Sequence, residues 1–554
     1  MAKTTGGHLL AQALEREGVE HIFTVAGDHT LPFLDVLADS KIKVWDTRHE
    51  AAAVHMGEGY SRATGKAAVC VYTTPGHANA IAGLAHALHG EAPIISISGC
   101  AESYTLGKGA MQEIDQIGMA KPLTKGAWMV PSTERMAEHV HQAFRHALTG
   151  RRGPVHLTIP VDYQEQSVDA PPDATIDMQR VRYRGVVPGD LVAVAQAVAL
   201  LKGAERPAVI ASDPAGYGCK PETLQRFIEA VRAPLFTEGQ ARGSVPDDHP
   251  LCFGLFDNRM RAAGLRIKDA DVVVLLGKKL ESPLGFGAAF SPSAKIVQID
   301  PDIMQIGRNR QAEVGIVGDI GEVLEQMIAE AKKHTWKDLP WVSSLREAHD
   351  RQVVEFDALA TGKTPMHPMD VAKAIMRVQD RDMVMVFDGG NFSSWVRSCV
   401  PAYRPGRWGG LTTLGMLGSG LPMALGVQVA LPGTRVLQLT GDGSFGFNAM
   451  ELDTAARMKL PVVSIVGTDS AWTTDKAQQV GIYGRAIATD LEFRNYELVA
   501  QGLGCHGELV EDPAKLSAAI ERAFASGKPA LLNVPIRVDP SGRTLAAVKR
   551  KTGK

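Results

Sequence analysis

The sequence predicts an α/β protein built from three parallel-sheet domains. Short apolar runs recur along the chain, continuous rather than alternating, as in strands buried on both faces. Stretches of helical periodicity separate them, which is the rhythm of βαβ units. The length, 554 residues, suits about three or four domains of roughly 150 residues each, and two polar stretches divide it.

The elements follow in order. KVWDTRHEAAAVHMGEGYSRATGK (43–66) runs from strand to helix at Arg48-His49-Glu50, and PIISISG (93–99) is a buried strand. Residues 165–187, polar with paired prolines, form a connection over the surface. DVVVLLG (271–277) is a strand of a second domain. Residues 332–367 carry mixed charge and weak periodicity, so they form a second surface connection. VMVFD (384–388), RVLQLT (435–440) and PVVSIV (461–466) are strands of a third domain. Between the last two, Asn448 with Glu451 has the pattern of a capping box. Ala449, Leu452, Ala456 and Leu460 then share one helical face. The domains are therefore expected at 1–165, 188–331 and 368–537. A basic tail, 538–554, is expected as a solvated or frayed end, with closure over an anionic substrate as its alternative role.

Composition narrows the class. A net charge of −2 gives no footing for nucleic acid or an anionic membrane surface. No apolar run approaches the ~18 residues of a membrane span, and the first residues lack a signal-peptide pattern. The six cysteines are scattered, with no C-x-x-C pair, so neither a zinc site nor a disulfide framework is indicated. A cytoplasmic enzyme is the expectation.

The most informative stretch is GDGSFGFNAMELDTAARMKLPVVSIVGTDSAW (441–472). Its opening has the G-x-G-x-x-G spacing of a dinucleotide loop, yet Asp442 stands inside it. Backbone N–H groups and a helix dipole suit a pyrophosphate; a bare carboxylate repels one. A divalent cation resolves the conflict, since Mg²⁺ takes one or two carboxylates together with phosphate oxygens. Asp442 and Asp469 both fall just past the ends of neighbouring strands, where open α/β sheets bind ligands.

This stretch resembles the cofactor motif of thiamine diphosphate (ThDP) enzymes, in which GDG precedes a strand ending in Asn-Asn. The resemblance implies Mg²⁺ ligation by Asp442, Asp469 and the Ala471 carbonyl, with Gly443 and Ser444 completing the loop. Thr468-Asp469 stands in place of Asn-Asn; aspartate remains a hard oxygen ligand, and its extra charge bears on diphosphate retention and metal preference. Arg48-His49-Glu50 resembles the family's Arg-His-Glu segment, which makes Glu50 the acid against the aminopyrimidine ring. His49-Glu50 with His55 is no zinc motif, because six residues turn a helix by about 600°.

The resemblance spans essentially the whole chain. VYTTPGHANAIAGLAHA (71–87) places Pro75, Gly76 and Asn79 near the cofactor. FDGGNFSSW (387–395) is similar to the first diphosphate loop, with Gly390 and Asn391. TLGMLGSGLPMALG (413–426) is similar to the pyrimidine-binding segment, with the Gly415 carbonyl on the amino group and Leu417 beneath the bent cofactor. The family also implies a homodimer or homotetramer with the site at a subunit interface.

For the reaction, His29 in FTVAGDHTLPF (23–33) matches a histidine of benzaldehyde lyase. Gln112 in GAMQEIDQIGM (109–119) matches the lyases and acetolactate synthases and argues against oxalyl-CoA. Leu417, ESPLGFG (281–287) and QIDPDIMQIGRNR (298–310) resemble 2-hydroxyacyl-CoA lyase. The implied activity is a C–C lyase or carboligase acting on a 2-hydroxy carbonyl compound, with a 2-hydroxyacyl-CoA first. Glu50, His29 and Gln112 are its catalytic residues, the latter two handling the hydroxyl proton. The alternatives are a CoA-independent carboligase like acetolactate synthase or benzaldehyde lyase, and a catalytically silent ThDP-binding subunit. FAD is admitted by the acetolactate synthase resemblance but has no specific motif here; an ADP-type nucleotide near Asp300 is a weaker alternative.

Overall fold

The computed structural model describes residues 3–169 and 186–553. It contains three six-stranded sheets and one two-stranded pair. The first sheet runs Lys43–Asp46, His21–Thr24, Ala68–Tyr72, Ile94–Cys100, Val155–Pro160, Ala127–Met129, all parallel. The second runs Cys252–Leu255, Leu235–Thr237, Pro207–Ala211, Val272–Leu276, Lys295–Asp300, Val314–Val317. The third runs Trp408–Gly409, Val384–Phe387, Val436–Gly441, Val463–Thr468, Ala530–Pro535, His506–Leu509. Both are parallel throughout. The three-fold α/β architecture is thus the one the sequence predicts. Every residue of Ile94–Cys100, Ala68–Tyr72 and Val463–Thr468 is buried, the pattern of strands covered on both faces.

The chain divides into two compact units. One comprises Met1–Arg184, Leu411–Gly433 and Asn448–Leu460; the other comprises Gly185–Gly410, Thr434–Phe447 and Pro461–Lys554. In the first, helix Glu50–Thr64 is started by His49, whose ring accepts the Ala51 N–H at 3.1 Å, and stopped by Gly65 at φ +71°. Helix Gly420–Ala430 packs along it. A Cβ on Gly59 would overlap the Met423 carbonyl, and one on Gly426 the Met56 carbonyl. The two backbones touch because neither glycine has a side chain. Gly426→Ala is therefore expected to destabilise the protein by about 1–3 kcal/mol, read as a lower urea midpoint; an unchanged midpoint would contradict this close crossing.

Three expectations need correction. Residues 332–367, expected as a surface connection, contain helix Pro340–Leu359. Trp341, Leu345 and Ala348 form its buried stripe, and Trp341 Nε1 donates to the Pro207 carbonyl at 2.9 Å. The capping box of Asn448 and Glu451 does not form. Asn448 Nδ2 donates to the Gly418 carbonyl at 2.7 Å, and Glu451 accepts the Arg48 N–H at 3.1 Å, so both side chains are taken by distant partners. The basic tail is not frayed: it forms helix Gly542–Thr552. Arg543 Nε donates to Asp257 Oδ2 at 2.5 Å, and Val548 lies against Gly481. Asp257 is 2% exposed. Burial pushes its carboxyl up, but Arg543 and the Arg259 N–H outweigh this and hold it below the usual range. Of the connection expected over 165–187, residues 170–185 lie outside the described residues.

Candidate active site

In the first unit, Glu50 opens its helix at the end of strand Lys43–Asp46 and the turn that follows. Asn79 Nδ2 donates to Glu50 Oε2 at 3.0 Å. A Cβ on Gly76 would stand 2.8 Å from Glu50 Oε1, so the glycine leaves room for the carboxylate. Pro75 occupies the first turn of helix Thr74–His89, where its missing N–H costs nothing. Glu50, Pro75, Gly76 and Asn79 are therefore brought together.

The turn that carries Glu50 is held by a residue whose role sequence reasoning missed. Glu451 is 1% exposed and accepts both the Arg48 N–H and the Thr454 hydroxyl, the latter at 2.6 Å. Burial pushes its carboxyl up to about 7, against the pull of these donors. Arg457 to Asp46, at 2.7 Å, ties the same segments. No local pattern signals this, because the partners are 403 residues apart.

His29 lies in the turn after strand His21–Thr24, with Nδ1 at 3.4 Å from the Thr74 hydroxyl. A Cβ on Gly99 would overlap the His29 carbonyl. Burial lowers the pKa of His29 below the usual imidazole value, against Asp28 and Glu102. Gln112 adopts φ +60°, an uncommon conformation for a non-glycine residue. Its Oε1 is buried without a hydrogen-bond partner. A cavity of about 210 Å³ opens at the ends of the sheet strands among Cys100, Leu106, Ile114, Gln116, Met129 and Thr158. Gly415 has φ +76°, and Leu417 is half-buried in the same segment.

His55 does not face His49. It joins Glu58 and His86 in a fully buried cluster, with His86 Nδ1 2.6 Å from Glu58 Oε2. Arg62 binds the other Glu58 oxygen at 2.8 Å and neutralises it. A dication there would leave uncompensated positive charge in the core, so the cluster is a structural ion pair.

In the second unit, strands Val384–Phe387, Val436–Gly441 and Val463–Thr468 are adjacent and parallel. Their ends bring Asp388, Asp442 and Asp469 to one edge. Asp442 Oδ1 accepts the Gly443 N–H at 3.0 Å and Oδ2 the Ser470 N–H at 2.9 Å. Asp469 accepts from the Thr473 hydroxyl at 2.5 Å. Burial pushes Asp442 up to about 6. Burial, then the Asp442 charge, pushes Asp469 up to about 7. Among the described residues no lysine or arginine pairs with either. Ala471 follows Ser470, which has φ +55°, and bridges to Asp490. A Cβ on Gly443 would meet the Trp472 ring at 2.7 Å. Gly390 has φ +105°, and Ser444 Oγ donates to the Gly389 carbonyl at 3.2 Å. The Asn391 side chain is committed elsewhere: Nδ2 donates to the Asp539 carbonyl and Oδ1 accepts the Ser541 N–H, each at 2.7 Å.

Three family patterns match this chain in order. They are described as the thiamine pyrophosphate enzyme N-terminal TPP binding domain, over residues 4–119, the central domain, over 194–327, and the C-terminal TPP binding domain, over 388–534. The chain belongs to the thiamine pyrophosphate enzymes. Among its relatives, an acetolactate synthase large subunit IlvG of Mycobacterium tuberculosis is 32% identical over 541 residues, covering 97% of this chain and 96% of the relative. A 2-hydroxyacyl-CoA lyase 2 of Caenorhabditis elegans is 31% identical over 581 residues, covering 97% and 90%. This thiamine pyrophosphate enzyme is thus one of the acetolactate synthase and 2-hydroxyacyl-CoA lyase family, whose members make or break C–C bonds. Its residues fit the cofactor's needs. One buried and one part-buried carboxylate, Asp442 and Asp469, without a cationic partner among the described residues, supply hard oxygen donors for a divalent ion, and Glu50 is steadied by Asn79. Among the described residues, no helix is long and apolar enough to cross a membrane.

Proposed function

We propose that this thiamine pyrophosphate enzyme cleaves or forms the C–C bond beside a 2-hydroxy carbonyl group, with a 2-hydroxyacyl-CoA as substrate and formyl-CoA plus an aldehyde or ketone as products. The observation that carries this reading is Gln112 Oε1, buried without a partner on a residue at φ +60°. A buried acceptor left open is costly unless a ligand donates to it, and a substrate hydroxyl is such a donor.

Bound ThDP supplies a carbon nucleophile for the substrate carbonyl. Asp442, Asp469 and the Ala471 carbonyl hold Mg²⁺. Pro75, Gly390, Asn391, Gly415, Leu417, Gly443 and Ser444 line the cofactor. Glu50 holds and moves a proton at the pyrimidine ring, oriented by Asn79. Gln112 accepts from the substrate hydroxyl, and His29 hydrogen-bonds a substrate oxygen. The same reading includes domains at 1–165, 188–331 and 368–537, a homodimer or homotetramer with its site at the subunit interface, and a cytoplasmic location, which six cysteines outside any disulfide suit.

A second reading, acetolactate formation from pyruvate, is favoured by the M. tuberculosis relative at 32% identity. Mass-spectrometric product analysis decides between them. Holoenzyme is incubated with a 2-hydroxyacyl-CoA, with benzoin and pyruvate in parallel. Formyl-CoA with the matching carbonyl product is expected; acetolactate or cleaved benzoin without a CoA product would move the enzyme to a CoA-independent reaction.

A further inference from the structure

In the second unit, arginines from three segments gather round one buried carboxylate. Asp257 lies in the turn after strand Cys252–Leu255. Its Oδ2 accepts from Arg543 Nε at 2.5 Å, and its Oδ1 accepts the Arg259 and Met260 N–H groups at 2.9 and 3.2 Å. Arg397 ends helix Asn391–Arg397, and the next residue, Ser398, donates its hydroxyl to Met260 Sδ at 3.3 Å. A Cβ on Gly542, beside Arg543, would stand 3.4 Å from the Arg259 carbonyl. The turn, the helix end and the tail therefore bring Arg259, Arg397 and Arg543 to one place. Arg550 lies seven residues beyond Arg543, on the same face of helix Gly542–Thr552.

The charges there do not balance. Arg259, Arg397 and Arg543 set three positive charges against the single negative charge of Asp257, whose side chain pairs only with Arg543. The Nε atoms of Arg259 and Arg397 are buried without a hydrogen-bond partner. Among the described residues, no carboxylate lies within ion-pair distance of either guanidinium. Burial, then the Arg543 charge, pushes Arg397 down to about 9 and holds Arg259 below its usual value, with Asp257 opposing both shifts. Arginine does not shed its proton in proteins, so an anion must supply the balance. Unpaired buried charge is costly, and two positive charges here are unmet. A phosphate dianion matches that number, and its oxygens match the planar fork of a guanidinium. A single carboxylate would leave one charge over.

We propose that Arg259, Arg397 and Arg543 form a site for a phosphate group of a ligand, additional to the diphosphate of ThDP. Arg550, exposed on the same tail helix, adds its charge to the approach. The tail thus meets an anion through one docked arginine rather than as a loose flap. The helix that ends at Arg397 begins at Asn391, in the candidate cofactor loop. At 1.5 Å per residue the two lie about 9 Å apart along its axis. A coenzyme A ester and a free nucleoside diphosphate both carry phosphate of the required charge. The site stands on its own arginines and does not depend on the acyl-CoA reading.

Isothermal titration of the full chain with ADP, coenzyme A and adenosine tests this, with ThDP and Mg²⁺ saturating so that the cofactor site is filled. ADP or coenzyme A is expected to bind, and adenosine, which lacks phosphate, is not. Arg397→Gln should weaken that binding by about tenfold or more, the scale of a hydrogen bond to a charged group, with Arg397→Lys in between. Failure of both phosphate compounds to bind, adenosine binding as tightly as ADP, or unchanged affinity in Arg397→Gln overturns the proposal. Melting without ligand controls for folding. Arg397→Gln loses an unpaired charge and should melt no lower than wild type; a lower melting temperature would make Arg397 a structural cation and count against the site. Coenzyme A bound at least as tightly as ADP assigns the phosphate to a substrate, and ADP bound with coenzyme A excluded assigns it to a free nucleotide. ADP binding without any CoA product in turnover would fail the acyl-CoA reading and leave this site standing.

Discussion

Glu50→Gln is expected to turn over about a thousandfold more slowly, the scale of a lost general acid–base group, while cofactor stays bound. Glutamine keeps the length of the side chain and an oxygen to accept from Asn79, which now donates to Glu50 Oε2 at 3.0 Å. Gly76 leaves the same space beside either side chain. Only the exchangeable carboxyl proton is lost. The check is kcat beside ThDP content after desalting. A wild-type rate would remove Glu50 from the chemistry, and loss of cofactor would make it a binding residue instead.

Asp469→Ala is expected to strip the cofactor. Loss of a direct ligand should exceed the about 10–100-fold cost of losing an outer partner at a metal site. Asp469→Asn, the residue the family pattern has there, is expected to retain it. The two effects of the alanine variant should have opposite signs. Asp442 is buried and Asp469 part-buried; burial raises both carboxyls, and the Asp442 charge raises Asp469 further. Removing one relieves the empty protein while disabling the loaded one. Apoprotein melting should therefore not fall, whereas dialysis against a chelator should leave Asp469→Ala without ThDP. Full retention after dialysis would exclude Asp469 as a ligand.

What was legible in the sequence was local. PIISISG and PVVSIV are runs whose burial on both faces leaves no polar gap, so their strands stand out. The GDG loop showed its purpose through one misplaced charge, Asp442. What was not legible depended on distant pairing. Glu451 looked like a cap because Asn448 stood three residues before it, yet its true partner, the Arg48 N–H, is 403 residues away. Gln116 is an unremarkable helix-start residue until Thr158 and Thr74, each 42 residues away, surround it. Pro340–Leu359 was hidden by its charges, although Pro340 at the first turn and the spacing of Trp341, Leu345 and Ala348 are helix signals. The tail looked free because its anchors, Asp257 and Asn391, lie far upstream.

The division of the chain bears on how such a protein can be recombined. The first unit takes in Leu411–Gly433 and Asn448–Leu460, beyond the end of the second sheet in sequence. A chimera joined near residue 185 would graft a foreign partner for helix Glu50–Thr64, since helix Gly420–Ala430 would come from the other parent. The Met423 carbonyl lies against Gly59 and the Met56 carbonyl against Gly426. Viable crossovers must therefore inherit those two glycines together, and a gene-shuffling library should show them linked although they are 367 residues apart in number.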